Sequence, residues 1–393
     1  MDALRNPYAP GAGTPPPELA GRDDILDAAR LVLGRTRRGR FEKSLLMIGL
    51  RGVGKTVLLD KIARIAREDG TLAETIEASE NKRLVQLVFP ALRRILVELD
   101  TSERVSSHVK AGWKVLRSFI SSFKIEYEGF GIGIDPQPGK ADSGDLDSDL
   151  QDLFQAVGEA AKDRNKSVVL LIDELQYIKS QELGALIMAI HKVAKEQLPF
   201  TVIGAGLPQL VALTGKSKSY AERLFQFPEV GPLSSADAAK ALSEPSGREG
   251  VIFTPDALEE IFRVTEGYPY FLQEWGYHAW NIAKTSPITL KDAQAATIEA
   301  TRRLDQDFFR VRFDRLTPSE KNYLRAMADL GPGPHRSGAI AEALGKDVQN
   351  VAPVRNKLIK KGMIFSQQHG ETGFTVPLFD SYLKRIMDYT VST

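Results

Sequence analysis

Two groups of residues in this chain have types and spacings that can do chemistry. The first is Gly49-x4-Gly54-Lys55-Thr56, within SLLMIGLRGVGKT at 44–56. Gly52 and Gly54 let the backbone turn tightly, so that amide N–H groups at a helix start converge on an anion. Lys55 suits the β/γ-phosphates of a nucleotide and the Thr56 hydroxyl suits Mg²⁺. The second group is Asp173–Glu174, which follows the five apolar residues Val168–Ile172. Two adjacent carboxylates leaving a buried strand are costly unless a cation or a reaction uses them. Asp173 suits the same Mg²⁺ shell as Thr56, and Glu174 suits polarising an attacking water. The bland alternatives are a glycine-rich turn that binds nothing and an ordinary helix N-cap.

These groups need a scaffold that brings strand ends together. Leu45–Ile48 is a short apolar run bounded by Gly49, the pattern of a buried strand. Val57, Leu58, Leu59, Ile62, Ala63, Ile65 and Ala66 follow at helical spacing, and Gly70 stops the helix. Further strands are expected at Thr71–Ser79, Val168–Ile172, Phe200–Gly204 and Phe225–Val230. Helices are expected at Gly21–Arg38, Lys82–Leu99, Ser102–Ser121, Asp145–Arg164 and Gln181–Gln197. Strands alternating with helices call for a doubly wound parallel sheet, an α/β fold, with ligands at the C-terminal strand ends. FKIEYEGFGIGI at 123–134 has Gly129, Gly131 and Gly133, but neither the spacing nor the following helix of a dinucleotide fingerprint; a surface hairpin is expected there.

Composition limits the rest. The 393 residues exceed one ordinary core, and 42% hydrophobic with 26% charged residues fits a globular protein. A net charge of +1 announces neither nucleic acid nor membrane, so any such site is a local patch. The absence of cysteine excludes disulfides and thiol chemistry, and five scattered histidines show no metal spacing. No apolar run approaches the roughly 20 residues of a bilayer span. Residues 1–17, rich in proline and glycine, read as a disordered leader, and a cytoplasmic location is the default expectation. The basic cluster GRTRRGR (34–40) sits where it complements a helix dipole; a nucleic-acid patch is the alternative.

GLRGVGKT, LLIDE and FTVIGAG, in that order, resemble the AAA+ and STAND P-loop ATPases, in the branch with archaeal and bacterial initiator-like ATPases. The resemblance implies ATP hydrolysis with Mg²⁺ and assembly into a homo-oligomer. It implies nucleotide contact by Gly49, Arg51, Gly52, Val53, Gly54, Lys55, Thr56 and Val57. LAGRDD (19–24) is similar to the family's N-terminal box, which adds Gly21 and Arg22 beside the base. The resemblance gives Lys55 and Glu174 catalytic roles and Thr56 and Asp173 the metal. Arg223 falls where a finger arginine is offered to a neighbouring subunit, or is an ordinary surface arginine. The sensor-1 polar residue has no clear owner among Gly204, Ala205 and Gly206, with Thr201 earlier. TEGYPYFLQEW resembles the lid signature, with Gly267 and Pro269 matching. Tyr270 stands where many members carry a sensor-2 arginine, a departure that favours a slow switch over a processive motor.

From Ser234 the pattern is helical: Ser235–Ser243, Pro255–Thr265, Tyr270–Lys284 and Leu290–Leu304. The last segment resembles a winged helix-turn-helix. It has a helix at Thr317–Asp329 with a Thr317/Glu320 capping box, another at Ser337–Leu344, and a third capped by Asn350 with Pro353 in its first turn. A two-stranded wing and a helix at Leu378–Met387 close it. Arg355, Lys357, Lys360 and Lys361 on the third helix are the candidates for double-stranded DNA phosphates. From Arg315 onward eleven Lys/Arg stand against seven Asp/Glu, a modest lean. A protein-docking wing with solvated lysines is the alternative. The expected domains are 1–17, 18–232 (with a helical and hairpin insertion at about 80–144), 233–304 and 305–393. The expected activity is an ATPase switch coupled to assembly and to DNA or a protein partner. The alternative is a non-catalytic ATP-dependent scaffold or signalling module.

Overall fold

The computed structural model describes residues 1–11, 13–100, 106–123, 138–219, 221–331, 333–366 and 370–387. The chain divides into an α/β unit, Asp23–Ile48 with Lys55–Glu229, and a helical unit, Met1–Arg22 with Gly49–Gly54 and Val230–Thr393.

The α/β unit runs α1 (Asp23–Arg37), β1 (Ser44–Ile48), α2 (Lys55–Glu68), β2 (Leu72–Glu77), α3 (Leu84–Asp100), α4 (Ser107–Phe123) and α5 (Leu146–Asp163). It continues with β3 (Val168–Asp173), α6 (Ser180–Lys195), β4 (Phe200–Gly206), α7 (Leu210–Ser217), α8 (Ala221–Leu224) and β5 (Phe225–Gln226). The sheet order is β2-β3-β4-β1-β5, and every pairing is parallel. All positions of β1 and β3 are buried, which is why both read as unbroken apolar runs. The last strand is shorter than expected. Only Phe225 and Gln226 pair with β1, followed by a bridge from Ile48 to Glu229. Pro228 has no N–H to give a ladder, and its carbonyl takes the Ile48 N–H at 3.0 Å instead. The expected hairpin at 123–134 lies, after Phe123, outside the described residues.

The helical unit holds α9 (Ser235–Arg248), α10 (Pro255–Thr265), α11 (Pro269–Ile282) and α12 (Leu290–Arg303). A π-helical turn, Leu304–Phe309, leads into α13 (Arg310–Phe313). Then come α14 (Pro318–Asp329), β6 (His335–Arg336), α15 (Ser337–Ala343), α16 (Val348–Lys360), β7 (Ile364–Phe365), β8 (Glu371–Phe374) and α17 (Phe379–Ile386). The three strands form an antiparallel sheet in the order β6-β8-β7. The capping box is present: the Thr317 N–H donates to Glu320 Oε2 at 2.8 Å, and the Glu320 N–H to Thr317 Oγ1 at 3.4 Å. Two helices differ from expectation around a proline. Helix α9 continues through Pro245 to Arg248. Helix α16 starts at Val348 from an extended Asp347, so Pro353 lies inside the helix rather than in its first turn.

The N-terminal stretch also departs from the expected disordered leader. Tyr8 is 3% exposed, and its hydroxyl donates to the Leu242 carbonyl at 2.5 Å. Trp280 Nε1 donates to the Asp2 carbonyl at 2.9 Å. A Cβ on Gly276 would come within 2.8 Å of the Tyr8 ring, so that glycine makes the seat for the tyrosine. One anchored aromatic ring offsets the disorder that the proline and glycine content implies. A single buried cluster runs from Tyr8 through Trp275, Trp280 and Phe309 to Tyr382 and Leu383. The lid helices and the C-terminal segment, expected as separate domains, therefore share one core. Among the described residues no helix is long and apolar enough to cross a membrane.

Candidate functional site

In the α/β unit the chemistry gathers where α2 starts and β3 ends. Thr56, in the first turn of α2, donates from Oγ1 to Asp173 Oδ2 at 2.5 Å. The other oxygen of Asp173 takes the Glu174 N–H at 2.8 Å. Asp173 is 5% and Lys55 7% exposed. Burial pushes the Asp173 carboxyl above its ordinary range; the two hydrogen bonds and the Lys55 charge pull it back, while Glu174 pushes it further up. A cation beside this carboxylate would relieve the cost of keeping it ionised. One hydroxyl and one buried carboxylate are hard oxygen donors of the kind Mg²⁺ takes, since it keeps several waters and uses few protein groups.

Glu174 has φ 54° and ψ 36°, a left-handed backbone that costs a non-glycine residue on the order of 1–2 kcal/mol. Such strain concentrates at functional sites. Its carboxylate accepts from Gln176 Nε2, and Gln176 Oε1 accepts the Leu207 N–H at 3.0 Å. The glycines of FTVIGAG make room for this turn. A Cβ on Gly204 would stand 2.2 Å from Leu175 Cδ1, and one on Gly206 would stand 2.7 Å from Gln176 Oε1. Thr201 is elsewhere, at the start of β4, sharing a 2.9 Å hydrogen bond with Ser44. Arg223 is exposed on the short helix α8.

Val57 follows Thr56 on α2, and the remaining expected nucleotide residues lie in the helical unit. Gly52 and Gly54 have φ of 84° and 94°, a region that glycine alone enters freely. Gly49 is needed for a different reason: its Cβ would lie 2.1 Å from the Val230 carbonyl oxygen. Arg22 is buried and donates to the carbonyls of Val53 (3.2 Å) and Gly231 (2.5 Å), while Gly21 turns the chain ahead of it with φ 65°. Pro269 is the first residue of α11, and the next residue, Tyr270, donates its N–H to the Gly52 carbonyl at 3.2 Å. The Arg51 N–H goes to the Thr375 carbonyl at 3.0 Å.

The sequence reading missed two residues here. Gln176 has been described. The other is Arg312, whose guanidinium lies 3.9 Å above the Phe308 ring, which stacks on Tyr270 at 5.0 Å. Burial and the like charge of Arg51 push the Arg312 pKa down to about 10. Among the described residues no carboxylate forms an ion pair with it. The signal was a run of arginines after α12, which carries no motif.

On α16 the four candidate DNA residues separate. Arg355 is engaged internally, with Nε on Thr372 Oγ1 at 2.9 Å and an Nη on Ser366 Oγ at 2.8 Å. Lys361 Nζ sits 2.7 Å from Glu320 Oε2 and 2.9 Å from the Arg315 carbonyl. These two cations fasten α16 to its neighbours. Lys357 and Lys360 remain exposed.

A parallel sheet with a glycine loop after β1 and an acidic pair at the end of β3 is the arrangement of the P-loop α/β fold. Residues 18–203 match the AAA ATPase domain family, and residues 306–383 match a domain of unknown function, DUF8462. The segment from Glu18 into β4 is thus similar to the AAA ATPase domain family. The Walker-type ATPase PABY2304 of Pyrococcus abyssi shares the fold, with 16% identity and a TM-score of 0.53 over 93% of this chain and 96% of that one. More distant are the Aeropyrum pernix ORC1 protein in complex with DNA (14% identity, 97% and 96% covered, TM-score 0.48) and the Thermotoga maritima RuvB Holliday junction branch migration motor (16%, 98% and 99%, 0.45). No curated protein matches the chain.

Proposed function

We propose that the chain is an ATP-driven switch that binds ATP with Mg²⁺, hydrolyses it to ADP and phosphate, and couples that state to assembly and to a partner. The observation that carries the reading is the 2.5 Å bond between Thr56, directly after the phosphate-loop lysine, and Asp173. It joins the two motifs that the sequence keeps more than a hundred residues apart. In this reading the amides of the loop from Gly49 to Val57 and the Lys55 ammonium hold the phosphates. Thr56 and Asp173 would hold Mg²⁺, which when bound neutralises charge on the phosphate oxygens. Glu174 orients a water and accepts its proton. The water oxygen bonds to the terminal phosphorus as the bridging bond breaks, ADP leaves with the electron pair, and the proton departs with phosphate. MgATP titration followed by single-turnover hydrolysis tests both halves: binding without turnover would leave the scaffold reading, and no binding would end both.

For the C-terminal segment, the order helix, strand, helix, helix, strand, strand supports a winged helix-turn-helix that meets duplex DNA through Lys357 and Lys360. A protein partner is the second reading, favoured by the inward engagement of Arg355 and Lys361. Fluorescence anisotropy with duplex DNA at two salt concentrations separates them, since phosphate contacts give a salt-dependent affinity. We further propose a homo-oligomer in which Arg223 serves the neighbouring protomer's nucleotide. Mass in solution with and without MgATP checks it.

A further inference from the structure

We propose that Gln176 is the positioning residue for Glu174, and that it supplies from the β3 side the polar group that the end of β4 lacks. The inference rests on the hydrolytic reading above, in which Glu174 orients the attacking water. The geometry behind it is a relay of two hydrogen bonds. The Leu207 N–H, just beyond β4, donates to Gln176 Oε1 at 3.0 Å, and Gln176 Nε2 donates to Glu174 Oε2. With its carbonyl oxygen committed to a backbone amide, the side-chain amide of Gln176 has only its NH₂ to turn toward the carboxylate. It can donate to Glu174 and cannot be read the other way round. One carboxylate oxygen is thereby fixed, and the other keeps its lone pairs for a water.

Gly206 makes this arrangement possible. Its absent side chain is the space in which Gln176 Oε1 lies, since a Cβ there would stand 2.7 Å from that oxygen and 3.1 Å from Leu210 Cδ2. Gly204 does the same for Leu175, whose burial anchors the turn between Glu174 and Gln176. The left-handed backbone of Glu174 aims its side chain, and the glutamine holds it there. Two glycines of β4 that look empty of chemistry are therefore empty so that side chains from the turn after β3 can enter.

Gln176 touches no reacting atom in this account, so its removal should act on the rate and leave nucleotide affinity alone. Misplacing a catalytic group by about 1 Å costs on the order of 10²-fold. We expect Gln176→Ala to lower kcat by roughly 10- to 100-fold, with the MgATP Kd and the melting temperature within error of the parent. Gly206→Ala should lower kcat by pushing the glutamine aside, and the double variant should be no worse than Gln176→Ala alone, because the closest clash is then gone and the Leu210 methyl at 3.1 Å is a rotatable side-chain end that can give. Gln176→Glu supplies a test that a purely structural role would not pass. It places a second carboxylate against Glu174, so activity returns only as pH falls and the pair shares one proton. An unchanged or raised kcat in Gln176→Ala, fully additive losses in the double variant, or a Gln176→Glu pH profile parallel to the parent's would each overturn the inference. Glu174→Gln keeps the two ideas apart: if it turns over like the parent, the hydrolytic role of Glu174 fails first, whatever Gln176 does.

Discussion

At the end of β3, Asp173 is 5% exposed and its carboxyl is held above the ordinary range by burial, with one hydroxyl and one amide as its hydrogen-bond donors. On α16, Arg355 donates to two side-chain hydroxyls and Lys361 meets a carboxylate that is 1% exposed. Both places concentrate charge near the surface of a sheet or helix. The first leaves a charged group short of a full counter-charge; the second neutralises or satisfies it within the fold. A carboxylate kept under electrostatic cost marks a place where something is bound, whereas a satisfied cation marks a fastening.

The contrast can be broken by substitution. Lys55→Ala should remove MgATP binding altogether; a titration that still saturates would mean that the β3 corner is also mere fastening. Glu174→Gln should bind MgATP normally and lose about 10²-fold or more in single-turnover rate. On the other side, Lys361→Ala strands the buried Glu320 carboxylate and should cost about 2 kcal/mol in chemical denaturation, partly offset by solvent at the exposed lysine. Burial alone would raise the Glu320 pKa, but the Lys361 and Thr317 hydrogen bonds hold it below its ordinary value. The stability it contributes is thus full above the unfolded-state pKa and lost as pH falls through the folded one. Lys361→Ala should consequently begin to unfold at a higher pH than the parent on acid titration.

Asp173 has the opposite sign. A carboxyl whose folded pKa is raised contributes stability below its unfolded pKa and loses it as pH rises through the folded value. At neutral pH its charge is therefore a cost, and Asp173→Asn should melt no lower than the parent without ligand while losing the rise in melting temperature that MgATP induces. A lower melting temperature with that rise intact would place Asp173 among the fastenings. The smallest effect belongs to Lys357→Ala and Lys360→Ala. Each should leave stability unchanged and, if the segment meets DNA, reduce the slope of log affinity against log salt by about 1.

The phosphate loop and the acidic pair were legible because each is a contiguous run whose residue types have one chemical use in common. The parallel sheet was legible for a related reason: strands buried on both faces must be apolar throughout, as Leu45–Ile48 and Val168–Ile172 are. What the sequence hid depends on partners brought close only by folding. Lys361 and Glu320 are 41 positions apart, so nothing local distinguishes Lys361 from the solvated Lys360 beside it. Gly206 reads as an empty strand position until Gln176 is seen in its space. The N-terminal leader misled because proline and glycine content averages over a segment, while Tyr8 orders it by a single insertion.

The π-helical turn at Leu304–Phe309 makes the passage from the lid helices into the C-terminal segment a splice in one continuous rod. The Arg310 N–H reaches back to the Asp305 carbonyl, five residues away, so one residue more than a regular turn needs is wound into this stretch. Phe308 faces Tyr270 and Phe309 faces Tyr382 as a result. Deleting a single residue there would restore ordinary winding and swing everything downstream by about 100° around the rod, so the length of this stretch, more than its composition, sets the aim of the C-terminal segment.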